Sequence, residues 1–213
     1  MKQKTLNRRN PMPPALLPRT ILLLPFLAIL VFAGGCASHA RQMLFQYQTA
    51  SPARTSGGEL YLFNTADRIR PGSGVWEMGS TRNPEGAILD TLLSGVSPAA
   101  MAENALRLEL GQSGYRVLSA PSTQAAARVV EITEATIRVE QTSSLTKLSA
   151  ACTIKLSLTV KKDGAQARMF HYEAKGSDLA IKDRERLAEA MLLDTMQEVM
   201  KQAIPDIVGV MEN

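Results

Sequence analysis

The chain has 213 residues, a formal charge of +4 and a sequence pI of about 9.2. Lys2, Lys4, Arg8, Arg9 and Arg19 all precede Cys36 and no acidic residue does, so the chain from Cys36 onward carries a net charge of −1. That balance gives no footprint for nucleic acid, and few aromatics with a single tryptophan argue against a carbohydrate- or base-stacking platform.

Residues 1–19 are basic and rich in proline, and Met12 is a second candidate start that would leave Arg19 as the leader charge. Arg8-Arg9 is followed by Asn10 and Pro11, so it reads as ordinary leader charge and not as a twin-arginine signal. The apolar run that follows contains Pro25 and ends in Ala33-Gly34-Gly35-Cys36. It is shorter than the roughly 20 apolar residues a spanning helix needs, and the order of basic leader, apolar centre and small residues is that of a secretory signal. Its end resembles the lipobox of bacterial lipoproteins, where cleavage falls just before a cysteine that is then acylated. The resemblance implies a signal peptide over 1–35 and a lipidation site at Cys36. The residue after the cysteine is Ala37 and not Asp, which by resemblance to enterobacterial lipoprotein sorting implies delivery to the outer membrane.

Residues 36–58 read as the lipidated cysteine and a flexible tether, because Ser51-Pro-Ala-Arg-Thr-Ser-Gly-Gly58 has linker composition. Within it, Met43-Leu-Phe-Gln-Tyr47 is apolar enough to dock as a short strand on the domain edge. A single periplasm-facing domain is expected over 59–213. Glu59–Asn64 reads as a strand broken by Asp67-Arg-Ile-Arg-Pro-Gly72. Val75–Met78 and Ala87–Leu93 form a hairpin about the turn Asn83-Pro-Glu-Gly86.

Ser97-Pro98 opens the first helix with a hydroxyl cap and a first-turn proline. Met101, Ala105 and Leu108, with Leu106 and Leu110, form its apolar side, and Gly114 stops it. Tyr115–Leu118 is a short strand. Val129–Gln141 alternates but changes phase near Thr133–Ala135, as a β-bulge would make it. Leu148–Val160 alternates without a break, its even positions apolar; Arg168–Gly176 returns after an Asp163-Gly164 turn. Asp183 caps a last helix that is expected to end at Ile204, before Pro205, with an apolar stripe of Leu187, Met191, Leu192, Met196, Val199 and Ala203. The strands alternate, so the fold class expected is α+β: an antiparallel sheet of about four to six strands with two helices packed on one face, in two layers.

Catalytic patterns are absent. His39 and His171 have no Cys, His or paired carboxylate at metal-ligand spacing, so neither a metal site nor a cofactor is expected. No G-x-S-x-G nucleophile elbow or phosphate-cradling glycine loop occurs. Cys152 sits on the apolar parity of its strand and reads as a small buried hydrophobe. A serine–histidine–carboxylate triad assembled around His171 would reopen an enzymatic reading. The cluster to examine for binding is Asp67, Arg68 and Arg70, whose charges could anchor an anionic group.

A strand ending in Asp67-Arg68-x-Arg70, the junction Leu110-Gly-Gln-Ser-Gly-Tyr-Arg-Val117, alternating strands and a last helix with Ala188-Glu-Ala-Met191 resemble the YajG family of outer-membrane lipoproteins. The resemblance covers roughly 59–204 and implies a periplasm-facing domain on a lipid anchor. Together these readings predict a non-enzymatic binding or scaffolding protein, held to the membrane through lipid on Cys36 and serving an envelope protein partner. The alternative is an auxiliary lipoprotein subunit of an ABC-type lipid transport system, which calls for an apolar groove.

Overall fold

Strict alternation over Leu148–Val160 makes the longest clean strand of the sequence, and the architecture is arranged about it and its neighbour. The computed structural model describes residues 39–49, 57–69, 74–119, 127–163, 167–181 and 186–213. The chain divides into two units, Met1–Ala37 and Ser38–Asn213, and the described residues all belong to the second. In chain order they form β1 (His39–Gln42), β2 (Gly58–Asn64), the one-turn helix α1 (Ala66–Ile69), β3 (Trp76–Arg82) and β4 (Ile88–Ser94). Then come α2 (Pro98–Gln112), β5 (Tyr115–Ser119), β6 (Arg128–Ser143), β7 (Leu148–Lys162), β8 (Arg168–Ala180) and α3 (Leu187–Glu212).

β6 pairs along its length with β7, and β7 with β8, all antiparallel. The other edge of β6 is shared. Val129–Ile132 pairs in parallel with Tyr61–Asn64 of β2, and Val139–Thr142 pairs in parallel with Gly79–Arg82 of β3. β2 carries β5 in parallel; β3 carries β4 antiparallel, and β4 carries β1 in parallel. The sheet therefore forks halfway along β6.

This corrects the fold expected from the sequence. The sheet has eight strands, not four to six, is mixed and not antiparallel, and curls strongly into a half-barrel. Three physical reasons account for the difference. Alternation reports a half-buried face and says nothing of strand direction. The 16 residues of β6 are long enough to seat two short strands end to end. The passage from β2 to β5 runs through α2, the kind of crossover that lets two strands pair in parallel. Three register shifts, at Ile132/Glu134 in β6 and at Glu77/Gly79 and Thr81/Arg82 in β3, contribute to the curl, since a bulge sharpens local twist. The first is the phase slip legible in the sequence: Val130 and Ile132 are buried before it, Ile137 and Val139 after it.

The even residues of β7, from Leu148 to Val160, are all buried, with Tyr172 and Ala174 of β8 beside them. α3 covers this half of the sheet, and its buried residues include the whole expected stripe from Leu187 to Ala203. It crosses β8 so closely that a Cβ on Gly176 would lie 2.7 Å from both Met191 Cε and Thr195 Oγ1. The helix does not stop at Pro205. It continues to Glu212 because Ile207 and Met211 are buried beyond the proline, which offsets the roughly 3 kcal/mol that an interior proline costs. Asp183, the expected cap, lies outside the described residues.

α2 packs on β6, β5 and β2 and touches α3. Its start is as the sequence reads: Ser97 Oγ accepts from the Ala100 N–H at 2.9 Å, with Pro98 in the first turn. The hairpin about Asn83 also forms, closed by the Ala87 N–H donating to Asn83 Oδ1 at 2.7 Å.

The expected tether is in part a structural element. β1 joins the sheet edge, Met43 and Tyr47 are buried in the common core, and Tyr47 Oη donates to Glu109 Oε1 of α2 at 2.6 Å. Gln197 Nε2 of α3 donates to the Gln48 carbonyl at 2.8 Å, and Gln112 Nε2 of α2 to Thr49 Oγ1 at 2.7 Å. The apolar side chains of this stretch are the cause: a linker would have to expose them.

Candidate functional site

Where β6 passes from β2 to β3 the fork opens a groove of about 490 Å³. It lies on the sheet face away from the helices, because Thr136, Arg138 and Glu140 of β6 and Thr153 and Lys155 of β7 alternate with the buried Ile137, Val139, Cys152 and Ile154. β3 supplies Glu77 and Arg82, and β4 supplies Ile88 and Thr91. Most of the charges are engaged locally. Arg138 Nε donates to Glu140 Oε1 at 2.8 Å, and Arg82 Nη1 donates to the Gly86 carbonyl at 3.0 Å. Lys155 lies 3.6 Å from Glu173, which Lys175 approaches at 3.0 Å. The hydrogen bond from Lys175, with the charge of Lys155 next, holds the Glu173 carboxyl below the usual glutamate range. The walls thus carry charges of both signs beside the apolar side chains of Met78, Ile88 and Ile137, and the exposed ion pairs are individually weak.

Beside it on the same face lies a serine–histidine–glutamate cluster. Ser157 Oγ is 2.9 Å from His171 Nδ1 and donates to Glu134 Oε2 at 3.4 Å. Ser157 reads from the alternation as an outward residue, yet it is only 8% exposed, enclosed where the bulge at Thr133 brings Thr133 Oγ1 onto its carbonyl. The connectivity is not that of a nucleophilic triad. There the carboxylate orients the base through its second ring nitrogen; here the carboxylate of Glu134 accepts from the serine.

Asp67, at the start of α1, holds the fold together locally. Its Oδ2 accepts from Asn64 Nδ2 at 2.9 Å and from Ser97 Oγ at 2.6 Å, tying the end of β2 to the cap of α2. Arg68 lies within α1, and Arg70 lies outside the described residues, as does Cys36. The structure thus ties Asp67 to Ser97, a contact the sequence reading did not anticipate.

Two buried polar pairs escaped the sequence reading. Glu109 stands on the buried side of α2, where Tyr47 meets it; burial, then the hydrogen bond and charge of Glu109, raise the Tyr47 phenol above the tyrosine range. Thr81 Oγ1 donates to Gln141 Oε1 at 2.9 Å across the parallel β3–β6 pair. The signal for Glu109 was available, since it falls between Ala105, Leu106 and Leu110 on the helix; that for Gln141 required knowing which strand lies beside β6. Cys152 is buried as expected, and burial pushes its thiol up to about 11 against a hydrogen bond with Thr195. Among the described residues no group of His, Cys, Asp and Glu is placed to hold a metal ion, and no helix is long and apolar enough to cross a membrane.

Among solved structures, the chain is similar to a neuraminyllactose-binding hemagglutinin homolog from Helicobacter pylori, at 12% identity and a TM-score of 0.43, over 78% of this chain and 92% of that one. It is similar to rare lipoprotein B from Shewanella oneidensis at 12% identity and a TM-score of 0.35, over 62% of this chain and 94% of that one. A minor lipoprotein from Acinetobacter baumannii shares 11% identity at a TM-score of 0.37, over 61% of this chain and 88% of that one. No family model matches the chain, and no curated protein matches it. All three TM-scores lie below 0.5, so the functional conclusion is drawn from this chain's own residues.

Proposed function

We propose that the protein is a bacterial lipoprotein, anchored by acyl chains on Cys36 to the outer membrane and facing the periplasm, with a non-enzymatic binding or scaffolding role toward an envelope protein. The observation that carries this reading is the sequence Ala33-Gly34-Gly35-Cys36 at the end of a short apolar run, followed after only two residues by the first residue of β1. Lipid on that cysteine supports stable attachment because several acyl chains hold where one holds weakly. The resemblance to YajG lipoproteins at Ser113-Gly-Tyr-Arg-Val117 points the same way. The fork groove is the favoured partner site, being open and carrying charges of both signs on its walls; the alternative is an auxiliary subunit of a lipid transport system, which calls for an apolar groove.

The test has two parts. Wild-type protein should incorporate radiolabelled palmitate and fractionate with outer membrane, while Cys36→Ser should accumulate as unlabelled precursor. A photo-crosslinking residue at Arg138 should capture an envelope protein, and one at exposed Glu198 of α3 should not. A Cys36→Ser protein that matures and fractionates normally refutes the anchor; equal capture at both positions refutes the groove as partner site.

A further inference from the structure

One end of the sheet gathers exposed apolar side chains. The pair Arg82↔Ile88 closes the β3–β4 hairpin, and Arg82↔Thr142 aligns that hairpin with the end of β6. Ser143↔Leu148 closes the next hairpin, and Leu148↔Ala180 brings the end of β8 alongside. Leu89, Leu145, Leu179 and Ile181, all exposed, therefore lie at the same end, Leu145 completely so. Leu89 and Leu145, with Pro84, line a shallow hollow of about 660 Å³ between the two turns. Water-exposed leucines grouped in this way call for cover.

The chain itself indicates the cover. β1 enters the sheet at this end, His39 lying opposite Asp90, the neighbour of Leu89. Cys36 stands three residues before His39, and three residues reach at most about 11 Å. The opposite end of the hairpin, where Trp76 pairs with Ser94, lies four residues farther along β4 than Asp90, about 13 Å from the level of His39. At the turns Glu85 and Lys147 contribute one charge of each sign, and Arg82, Asp90 and Asp178 stand close by, so neither sign dominates this end.

We propose that this end of the sheet rests on the bilayer that receives the lipid of Cys36, with Leu89 and Leu145 inserted at the headgroup boundary. The proposal rests on the anchor reading above. Apolar side chains adding to acyl chains are the second signal that fixes an anchored protein's orientation as well as its attachment.

The experiment uses the full chain, processed and lipidated in bacteria and reconstituted into phosphatidylethanolamine–phosphatidylglycerol vesicles containing a brominated lipid. Trp76, the chain's one tryptophan, reports the far end; Leu145→Trp adds a reporter at the near end, and its full exposure lets the exchange leave the core untouched. The expected result is floated protein in which the emission added by Leu145→Trp is blue-shifted and quenched by the brominated lipid, while Trp76 alone is not. Floated protein whose added emission is unquenched, or in which Trp76 is quenched as strongly, overturns the proposal while leaving the anchor intact. That result would assign the hairpin tips to solvent or to a protein partner. Protein that does not float removes the anchor, and the proposal with it.

Discussion

Gly79 tests the fork directly. Its φ of 152° is one that L side chains rarely adopt, and a Cβ built on it would lie 1.7 Å from the Val139 carbonyl oxygen and 2.7 Å from the Val139 carbonyl carbon. Carbon–oxygen contacts between strands run at about 3.3 Å, so Gly79→Ala has to push β3 away from β6 by more than an ångström. The parallel pairing spans only Gly79↔Val139 to Arg82↔Thr142 and includes the buried Thr81–Gln141 bond, so little of it survives such a shift. Net losses of about 1 kcal/mol per hydrogen bond, with backbone strain of about 1–3, put the cost at roughly 3–5 kcal/mol. For a chain of this size that lowers the thermal midpoint by roughly 6–20 °C. Gly111→Ala is the matched control, because its added Cβ meets nothing within 4 Å and it lies within α2. Alanine there should stabilise by about 0.5–1 kcal/mol. The assay is thermal and urea unfolding followed by far-ultraviolet circular dichroism on the lipidated protein in detergent. A Gly79→Ala protein that unfolds at the wild-type midpoint refutes the parallel seating of β3 on β6, and with it the groove.

Leu156→Ala should cost about 2–5 kcal/mol in urea unfolding, and Lys155→Ala, which loses an exposed pair with Glu173, less than about 0.5; equal effects would mean the strand's phase is misread. Cys152 should resist a thiol reagent in the native protein and react on unfolding. Because the fold holds the neutral thiol up to about 11, its contribution is complete below the ordinary thiol pKa and is lost as pH rises through 9 to 11. The loss is on the order of 2 kcal/mol, and Cys152→Ala should flatten that part of the alkaline stability profile. Tyr47→Phe removes a buried donor to Glu109 and should cost about 1–3 kcal/mol in the same unfolding assay; no change would mean that residues 43–49 do not dock on α2.

What the sequence made legible was local. The cap at Ser97-Pro98, the turn at Asn83, the bulge at Thr133 and the buried parity of β7 each depend on a few neighbouring side chains. Pairing partners were not legible. The sequence of β6 is the same whether one strand or two lie along its edge, and parallel seating of β2 and β3 leaves no mark on their alternation. The same blindness explains Ser157, whose polar parity was read correctly but whose enclosure depends on Glu134 and His171 from the two flanking strands. Pro205 misled in the opposite direction: a local rule predicted a stop, and burial of Ile207 and Met211 overrode it.

The tether shows what such an override means for function. A flexible linker over residues 36–58 would let the domain range about 25 Å from its lipid. With His39–Gln42 paired to β4 and Met43 and Tyr47 in the core, Cys36 stands three residues before the sheet, a span of at most about 11 Å. The same stretch is bonded to α2 through Glu109 and Gln112 and to α3 through Gln197, so it is held by the sheet edge and both helices together. A lipid at that position would hold the domain close to the bilayer, and a partner of the groove would have to meet it at the membrane surface. Binding there would gain from shared confinement to a thin layer, which raises effective concentration without any added contact.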